Sequence, residues 1–185
     1  MAIGRWKKLS SERRFRNPWW SYELDRFALP TGKEGEYHYV HTEGSAMVVP
    51  VADDGRLLLV NQYRFLLDRE SIEFPGGGVK PGQAPEAAAR AELAEEAGVT
   101  AAQLVHVGRF NPYNGVTDEM CHLYVARGLV PDPHARPDET EELELTPMTP
   151  AELEARIAAG EIWDGMTLAA WCWARPHVMR VANSG

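Results

Sequence analysis

Three glutamates lie close together in an alanine-rich stretch of this sequence, at Glu92, Glu95 and Glu96. In an α-helix, which turns about 100° per residue, Glu95 lies about 60° to one side of Glu92 and Glu96 about 40° to the other. The three carboxylates therefore share one face and repel one another unless a cation neutralises them. Mg²⁺ is the natural candidate, because it takes oxygen ligands and also accepts phosphate oxygens.

A run of three glycines, Gly76 to Gly78, comes shortly before the glutamates. It predicts a loop whose backbone can approach a ligand closely and offer it N–H and C=O groups. Taken alone, glutamates at this spacing are more often a solvated helix face, so the neighbouring glycines are what favour a metal site. No Gly-Lys-Ser or Gly-Lys-Thr follows the glycines, and a Walker-type nucleotide loop is therefore not supported.

Two further sets of side chains could serve such a site. Arg64 follows a predicted strand, and its guanidinium fork suits a diphosphate, although a surface charge at a strand end is about equally expected. An acidic segment, residues 137–142, offers glutamates for a general base, or a solvated run of charge. The histidines are scattered without ligand spacing, and Cys121 and Cys172 are predicted to be buried thiols.

The elements around these residues predict an α/β fold. The pattern is strand-like from Glu36 onward, and the turn at residues 53–55 is typical of a hairpin. Pro85 and Gly98 mark the two ends of the glutamate helix, and the last helix is predicted to run from near Thr167 to just before Pro176. Strands outnumber the interspersed helices, which predicts layers of helix, mixed sheet and helix.

Composition and charge bound the class of protein. The 185 residues suffice for about one domain with a small appendage, and 44% hydrophobic and 25% charged residues are ordinary for a globular protein. A net charge of −8 argues against a general nucleic-acid binder, although basic residues between positions 5 and 16 leave a basic-arm alternative open. No apolar run is long enough to span a membrane and no secretory signal opens the chain, so we expect a cytoplasmic protein.

Residues 1–42 are predicted to form an arm and a small β element ahead of a main domain, residues 43–185. Basic residues are followed there by aromatic ones, namely Trp19, Trp20, Tyr22 and Phe27. The first interpretation is a solvated arm followed by strands that pack on the body. The alternative is a dimerisation element that lends aromatic faces to a ligand.

The segment from Gly77 to Val99 resembles the signature of the Nudix hydrolases, G-x5-E-x7-R-E-U-x-E-E-x-G-U, in which U is a bulky aliphatic residue. The matching fixed positions are Gly77, Glu92, Leu93, Glu95, Glu96, Gly98 and Val99. Gln83 stands where the signature has its first Glu, and Ala91 stands where it has Arg. Arg90 is displaced by one residue and points about 140° away from Glu95, which is therefore expected to be held less firmly.

The resemblance extends over nearly the whole chain to the ADP-ribose pyrophosphatase branch of that family. It is carried by VNQYR (60–64), IEFPGGGV (72–79), PDETEE (137–142) and GEIWDGMTLAA (160–170), together with Pro112. The resemblance implies an α/β/α sandwich with a mixed sheet, and a Mg²⁺-dependent hydrolase, with Mn²⁺ as a possible substitute. The implied reaction splits ADP-ribose into AMP and ribose 5-phosphate, and the implied assembly is a homodimer whose N-terminal strands complete the adenosine site.

The resemblance also implies roles for single residues. Glu92, Glu96 and the carbonyl of Gly76 would hold the metal, with Glu95 helping through water. Glu139 would be the general base, with Glu141 as a close alternative. The implied substrate contacts are Arg64, Glu73, Gly77, Pro112 and Trp20, although Glu73 could equally accept hydrogen bonds from loop amides.

Three alternatives stay open at this point. Similar sequences hydrolyse GDP-mannose or other nucleotide sugars, so the preferred diphosphate is not decided. A catalytically weak nucleotide-binding module of the same fold is a second hypothesis, motivated by Gln83 and Ala91. In both cases the partner is a small nucleoside diphosphate, without nucleic acid or membrane; cleavage of mononucleotides alone would instead indicate a sanitising enzyme.

Overall fold

A computed structural model of the chain describes residues 4–135 and 142–182. The chain divides into two compact units. The first consists of residues 1–44 and 111–120, and the second of residues 45–110 and 121–185. No helix within the described ranges has the length and apolar character that a membrane crossing requires.

The first unit is built on an antiparallel sheet of three strands, in the order β1-β2-β3. They are β1 (Lys7–Arg16), β2 (Ser21–Ala28) and β3 (Glu34–His41). The basic segment, interpreted from the sequence as an arm, is thus an exposed edge strand. Ion pairs join this strand to β2 in addition to the backbone hydrogen bonds: Lys8 contacts Asp25, and Arg13 lies 2.7 Å from Glu23. The hydrogen bond from Arg13 lowers the pKa of the Glu23 carboxyl.

The described residues of the second unit form seven strands and three α-helices. The strands are β4 (Ser45–Pro50), β5 (Leu57–Arg64), β6 (Arg69–Glu73), β7 (Gly76–Gly78), β8 (Val99–Phe110), β9 (Cys121–Pro131) and β10 (Leu143–Met148). The helices are α1 (Pro85–Ala97), α2 (Pro150–Ala158) and α3 (Gly165–Ala182), and a short 3₁₀ turn covers Phe65–Leu67. A mixed sheet has the order β7-β4-β9-β8 with β4 and β9 parallel, and an antiparallel sheet has the order β10-β5-β6.

The turn at residues 53–55 forms as predicted, but it joins two sheets. Gly55 has a φ of +83°, and its amide donates to the carbonyl of Ala52 at 2.9 Å. A bridge between Val51 and Leu57 and a hydrogen bond from the Ala52 amide to the Arg56 carbonyl at 2.8 Å link the two arms of the turn. β4, which precedes the turn, belongs to the mixed sheet, and β5, which follows it, belongs to the antiparallel sheet.

The two faces of the mixed sheet bury different cores, as the alternation of side chains along a strand requires. From β4, Ala46 and Val48 pack with α1, whereas Met47 and Val49 pack with residues of β5, α2 and α3. The sheet is therefore covered on both faces, by α1 on one side and by the other helices and β5 on the other. The predicted mixed α/β fold with a mixed sheet is confirmed.

Two expectations from the sequence are wrong in the last helix. Helix α3 does not stop before Pro176 but continues to Ala182. An internal proline costs about 3 kcal/mol, but Trp171, Ala174 and Val178 carry one buried stripe across it, and their packing outweighs the local preference. Cys172 lies on the opposite side of the helix and is exposed, whereas Cys121 is buried as predicted.

Candidate functional site

Helix α1 places two of its three acids, Glu92 and Glu96, against the packed part of the structure and leaves Glu95 in solvent. Pro85 occupies its first turn, and Gly98 ends it in a left-handed conformation with φ +66°. Its buried side chains, Ala88, Ala89, Leu93 and Ala97, face the mixed sheet. At about 100° per residue, Glu92 and Glu96 project between Ala88 and Ala89, and both are half-buried, whereas Glu95 is exposed.

The glycine segment meets two of these acids. Residues 76–78 form the short strand β7 rather than the predicted loop, because they pair with Ser45–Met47 of β4. The Gly76 amide donates to Oε2 of Glu96 at 3.0 Å. Gly77 lies directly under Glu92, since a Cβ atom on Gly77 would come within 2.4 Å of Oε1 of Glu92. The absence of a side chain at Gly77 is what lets this carboxylate lie against the backbone.

Gly76 is expected to tolerate no side chain at all. A Cβ atom there would lie 2.8 Å from the carbonyl oxygen of Ala46 and 3.1 Å from Cα of Met47, and both are backbone atoms that cannot turn away. The Gly76→Ala variant should therefore lose about 1–3 kcal/mol of unfolding free energy, measured by urea denaturation. Gly78→Ala is the control, because a Cβ atom at Gly78 meets nothing within 4 Å; equal losses in the two variants would contradict this packing.

Arg64 and Glu73 form an ion pair beside the glycine strand. Nε of Arg64 donates to Oε1 of Glu73 at 2.7 Å, and Nη2 contacts the second oxygen, which Gln62 also approaches at 3.4 Å. Hydrogen bonding to Glu73 raises the pKa of Arg64 against the opposing effect of burial, and the charges of Glu73, Asp164 and Glu96 raise it further. The arginine is thus a permanent cation close to the acids of α1.

The burial of this pair is unequal. Glu73 is only 5% exposed and both of its oxygens have partners, whereas the Arg64 side chain is 46% exposed. Two bonds from one guanidinium fix the direction of the fork. Glu73 can therefore orient Arg64, and the exposed side of the Arg64 guanidinium can contact an anion.

A buried threonine is the residue that the sequence reasoning missed. Thr167, in the first turn of α3, accepts a hydrogen bond from the Phe74 amide at 3.3 Å, and its own amide donates to Oδ2 of Asp164 at 2.7 Å. The sequence places Thr167 near the start of the last helix and within residues 160–170 of the resemblance, but it does not indicate a role in the site. An Asp three residues before a Thr at a helix start indicates a cap, but no local pattern indicates the contact with Phe74.

The predicted roles of four further residues are not tested. Glu139 and Glu141 fall outside the described residues, so their predicted role as base is not tested. Pro112 and Trp20 belong to the first unit, in which Trp20 is exposed with its ring 5.6 Å from that of Phe15. Their predicted contacts with substrate likewise stay predictions.

Arg90, the displaced arginine of the signature, is engaged away from Glu95. Its guanidinium donates to Glu86 at 2.9 Å, one turn earlier in α1, and to the carbonyl of Ala101 at 3.3 Å. It packs on the side of the helix that borders β8, as its displacement by one position requires.

The donor set at the glycine strand fits a hard divalent cation. Within the described part of the chain, no three His, Cys, Asp or Glu side chains converge as a complete cluster. Mg²⁺ does not need one, because it is commonly bound by one or two carboxylates together with waters and substrate phosphates. Glu92 and Glu96 supply two carboxylates one helical turn apart, and both lie against the Gly76–Gly77 backbone.

Together, the fold and the site define a class of protein: an α/β sandwich that presents helix carboxylates and an oriented arginine around a glycine strand, suited to reactions of phosphate groups. The fold matches that of a solved structure described as "Crystal structure of ADP compounds hydrolase", with a TM-score of 0.84, 22% sequence identity and 97% of each chain covered.

Residues 41–169 match the NUDIX domain, and residues 6–40 match the nucleoside diphosphate sugar hydrolase N-terminal domain. The chain belongs to the Nudix hydrolase family, whose members generally use divalent cations. It is 33% identical to the ADP-ribose pyrophosphatase of Bacillus subtilis (strain 168), over 75% of this chain and 76% of that protein. It is 30% identical to the methanol dehydrogenase activator of Bacillus methanolicus, over 89% of each. The resemblance drawn from the signature is confirmed.

Proposed function

We propose that this protein hydrolyses the diphosphate of ADP-ribose, or of a related nucleoside diphosphate sugar, to a nucleoside monophosphate and a sugar phosphate, with Mg²⁺ as cofactor and Mn²⁺ as a possible substitute. The observation that carries the proposal is the pair Glu92 and Glu96 lying against the Gly76–Gly77 backbone. The similarity to an ADP-ribose pyrophosphatase points to the substrate class.

In this proposal, one set of residues binds the cation and another binds the diphosphate. Glu92, Glu96 and the carbonyl of Gly76 would hold Mg²⁺, with Glu95 assisting through water. The bound cation would supply charge neutralisation for the diphosphate and acidify a bound water. Arg64, held by Glu73, would bind and orient a diphosphate oxygen, since a guanidinium with a fixed direction selects one geometry of the anion.

A general base completes the proposal. Glu139 is proposed for this role, with Glu141 as the alternative. Removing a general base costs a typical 10²–10⁴-fold in rate. The Glu139→Gln and Glu141→Gln variants, assayed side by side, would separate the two residues because only the base should show a loss of that size.

A substrate panel tests the proposed function. The protein is incubated with Mg²⁺ and, separately, ADP-ribose, GDP-mannose, UDP-glucose, NADH, a dinucleoside polyphosphate or dATP, and the products are identified by chromatography. We expect AMP and ribose 5-phosphate from ADP-ribose at the highest kcat/KM. Preference for GDP-mannose or another nucleotide sugar would select that alternative within the same reaction, whereas cleavage of mononucleotides such as dATP alone would reject the proposal.

A catalytically weak nucleotide-binding module remains the second candidate. The observation that favours it is the engagement of Arg90 with Glu86, which leaves Glu95 without the signature arginine. Calorimetry distinguishes the two candidates: tight binding of ADP-ribose with no products, in Mg²⁺ or in Mn²⁺, would favour the module, and full turnover would dismiss it.

The oligomeric state of the protein is also a proposal. We propose a homodimer in which residues 1–42 contribute to the interface and residues 43–185 form the hydrolase domain. Large exposed rings on the first unit support this, among them Trp19, which is 79% exposed. Light scattering of the full chain would show a monomer if the proposal is wrong. The cytoplasmic location stays a prediction.

A further inference from the structure

Each residue from Glu73 to Gly77 has a contact that holds it in place. The first of these contacts is the ion pair of Glu73 with Arg64, and the last is the packing of Glu92 on Gly77. Between them, the Pro75 carbonyl accepts a hydrogen bond from the Val48 amide at 2.9 Å, and the Gly76 amide donates to Glu96 at 3.0 Å. The remaining residue, Phe74, is held through its amide by the hydroxyl of Thr167 at 3.3 Å.

Thr167 belongs to a different element of the fold from the other partners. The residues holding Glu73, Pro75, Gly76 and Gly77 belong to β4, β5 or α1, which border the glycine strand. Thr167 comes from α3, and 93 positions separate it from Phe74 in the sequence. It links the start of a helix on the other face of the sheet to the backbone that precedes the glycines.

Thr167 is itself rigidly placed. It is fully buried, and its amide donates to Asp164 at 2.7 Å, which fixes the first turn of α3. The indole N–H of Trp163, which precedes Asp164, donates to the Glu70 carbonyl at 3.2 Å. The guanidinium carbon of Arg69 lies over the Trp163 ring, 4.3 Å from the centre of that ring. The helix start is thus anchored to β6 at two more points.

We propose that Thr167 is a positioning residue for the cation site: through the Phe74 amide it sets the position of the Gly76 carbonyl, and through the neighbouring Glu73 it sets the direction of Arg64. The inference rests on the proposed function, because it takes the Gly76 carbonyl as a ligand. Partners that orient metal ligands typically contribute 10–100-fold to metal affinity.

The test compares Thr167→Val, which keeps the shape but removes the hydroxyl, with Thr167→Ser, which keeps the hydroxyl. Mn²⁺ binding to the substrate-free protein is titrated by electron paramagnetic resonance, and thermal unfolding is followed in parallel. Thr167→Val should weaken Mn²⁺ binding 10-fold or more, by about the factor expected of an orienting partner, and Thr167→Ser should stay within about twofold of the parent. Thr167→Ala replaces the valine variant if that variant does not fold.

A matched control separates positioning from loss of stability. Ala174→Gly lies on the same buried face of α3, seven positions further along, and destabilises the helix without removing the hydrogen bond to the Phe74 amide. It should leave Mn²⁺ affinity unchanged. Parent-like Mn²⁺ binding in Thr167→Val, or an equal loss in Ala174→Gly, would overturn the positioning role while leaving the proposed function intact. Failure of the parent protein to bind Mn²⁺ would instead count against the proposed function.

Discussion

The Glu96→Gln variant is expected to lose about a thousandfold in kcat/KM toward the diphosphate substrate, with a thermal midpoint close to that of the parent protein. A bound cation supplies several kcal/mol of charge stabilisation, and a loss of about 4 kcal/mol corresponds to this factor. The substitution removes one of the two carboxylate charges at the glycine strand. Its amide oxygen can still accept the hydrogen bond from the Gly76 amide, so the local backbone is kept.

Steady-state kinetics with ADP-ribose and Mg²⁺ measures the loss, and Glu86→Gln is the matched control. Glu86 lies on the same helix, is exposed to solvent, and pairs with Arg90 rather than with the glycine strand. We expect Glu86→Gln to keep its activity within about twofold, since an exposed pair of this spacing contributes only about 0.3–0.5 kcal/mol. Full activity in Glu96→Gln would reject the assignment of the helix acids.

The Gly77→Ala variant is expected to weaken cation binding by about 10–100-fold, the range for disturbed ligand orientation, while changing stability little. The new Cβ atom would lie 2.4 Å from Oε1 and 2.6 Å from Cδ of Glu92, so the carboxylate has to move. It can do so cheaply because it is the far end of a flexible side chain. The substitution is therefore expected to lower cation affinity rather than the free energy of unfolding.

Gly78→Ala provides the comparison for Gly77→Ala. It adds the same methyl group one residue further along β7, where nothing lies within 4 Å. Mn²⁺ titration and thermal unfolding of both variants are the measurements. If Gly78→Ala lost affinity as strongly as Gly77→Ala, the effect would come from the stiffer backbone and not from displacement of Glu92.

Much of the fold followed from local patterns. The first and last turns of α1 could be predicted because Pro85 and Gly98 act on the residues next to them. The hairpin-like turn at residues 53–55 was predictable for the same reason, but its connection of two sheets was not, since a turn does not specify which neighbours its strands find. Pro176 misled the prediction, because burial of Trp171 and Val178 on either side of it outweighs the cost of an internal proline.

What the sequence determined by itself is the common face of Glu92, Glu95 and Glu96 and the nearby glycine run, because a helical period relates residues only a few positions apart. The tertiary structure decided which acids meet the glycines, that Glu73 holds Arg64, and that Thr167 reaches Phe74. These contacts depend on how strands and helices pack across the sheet, and no spacing along the chain encodes that packing. The chemistry of the site could therefore be predicted from residue types, whereas its geometry required the fold.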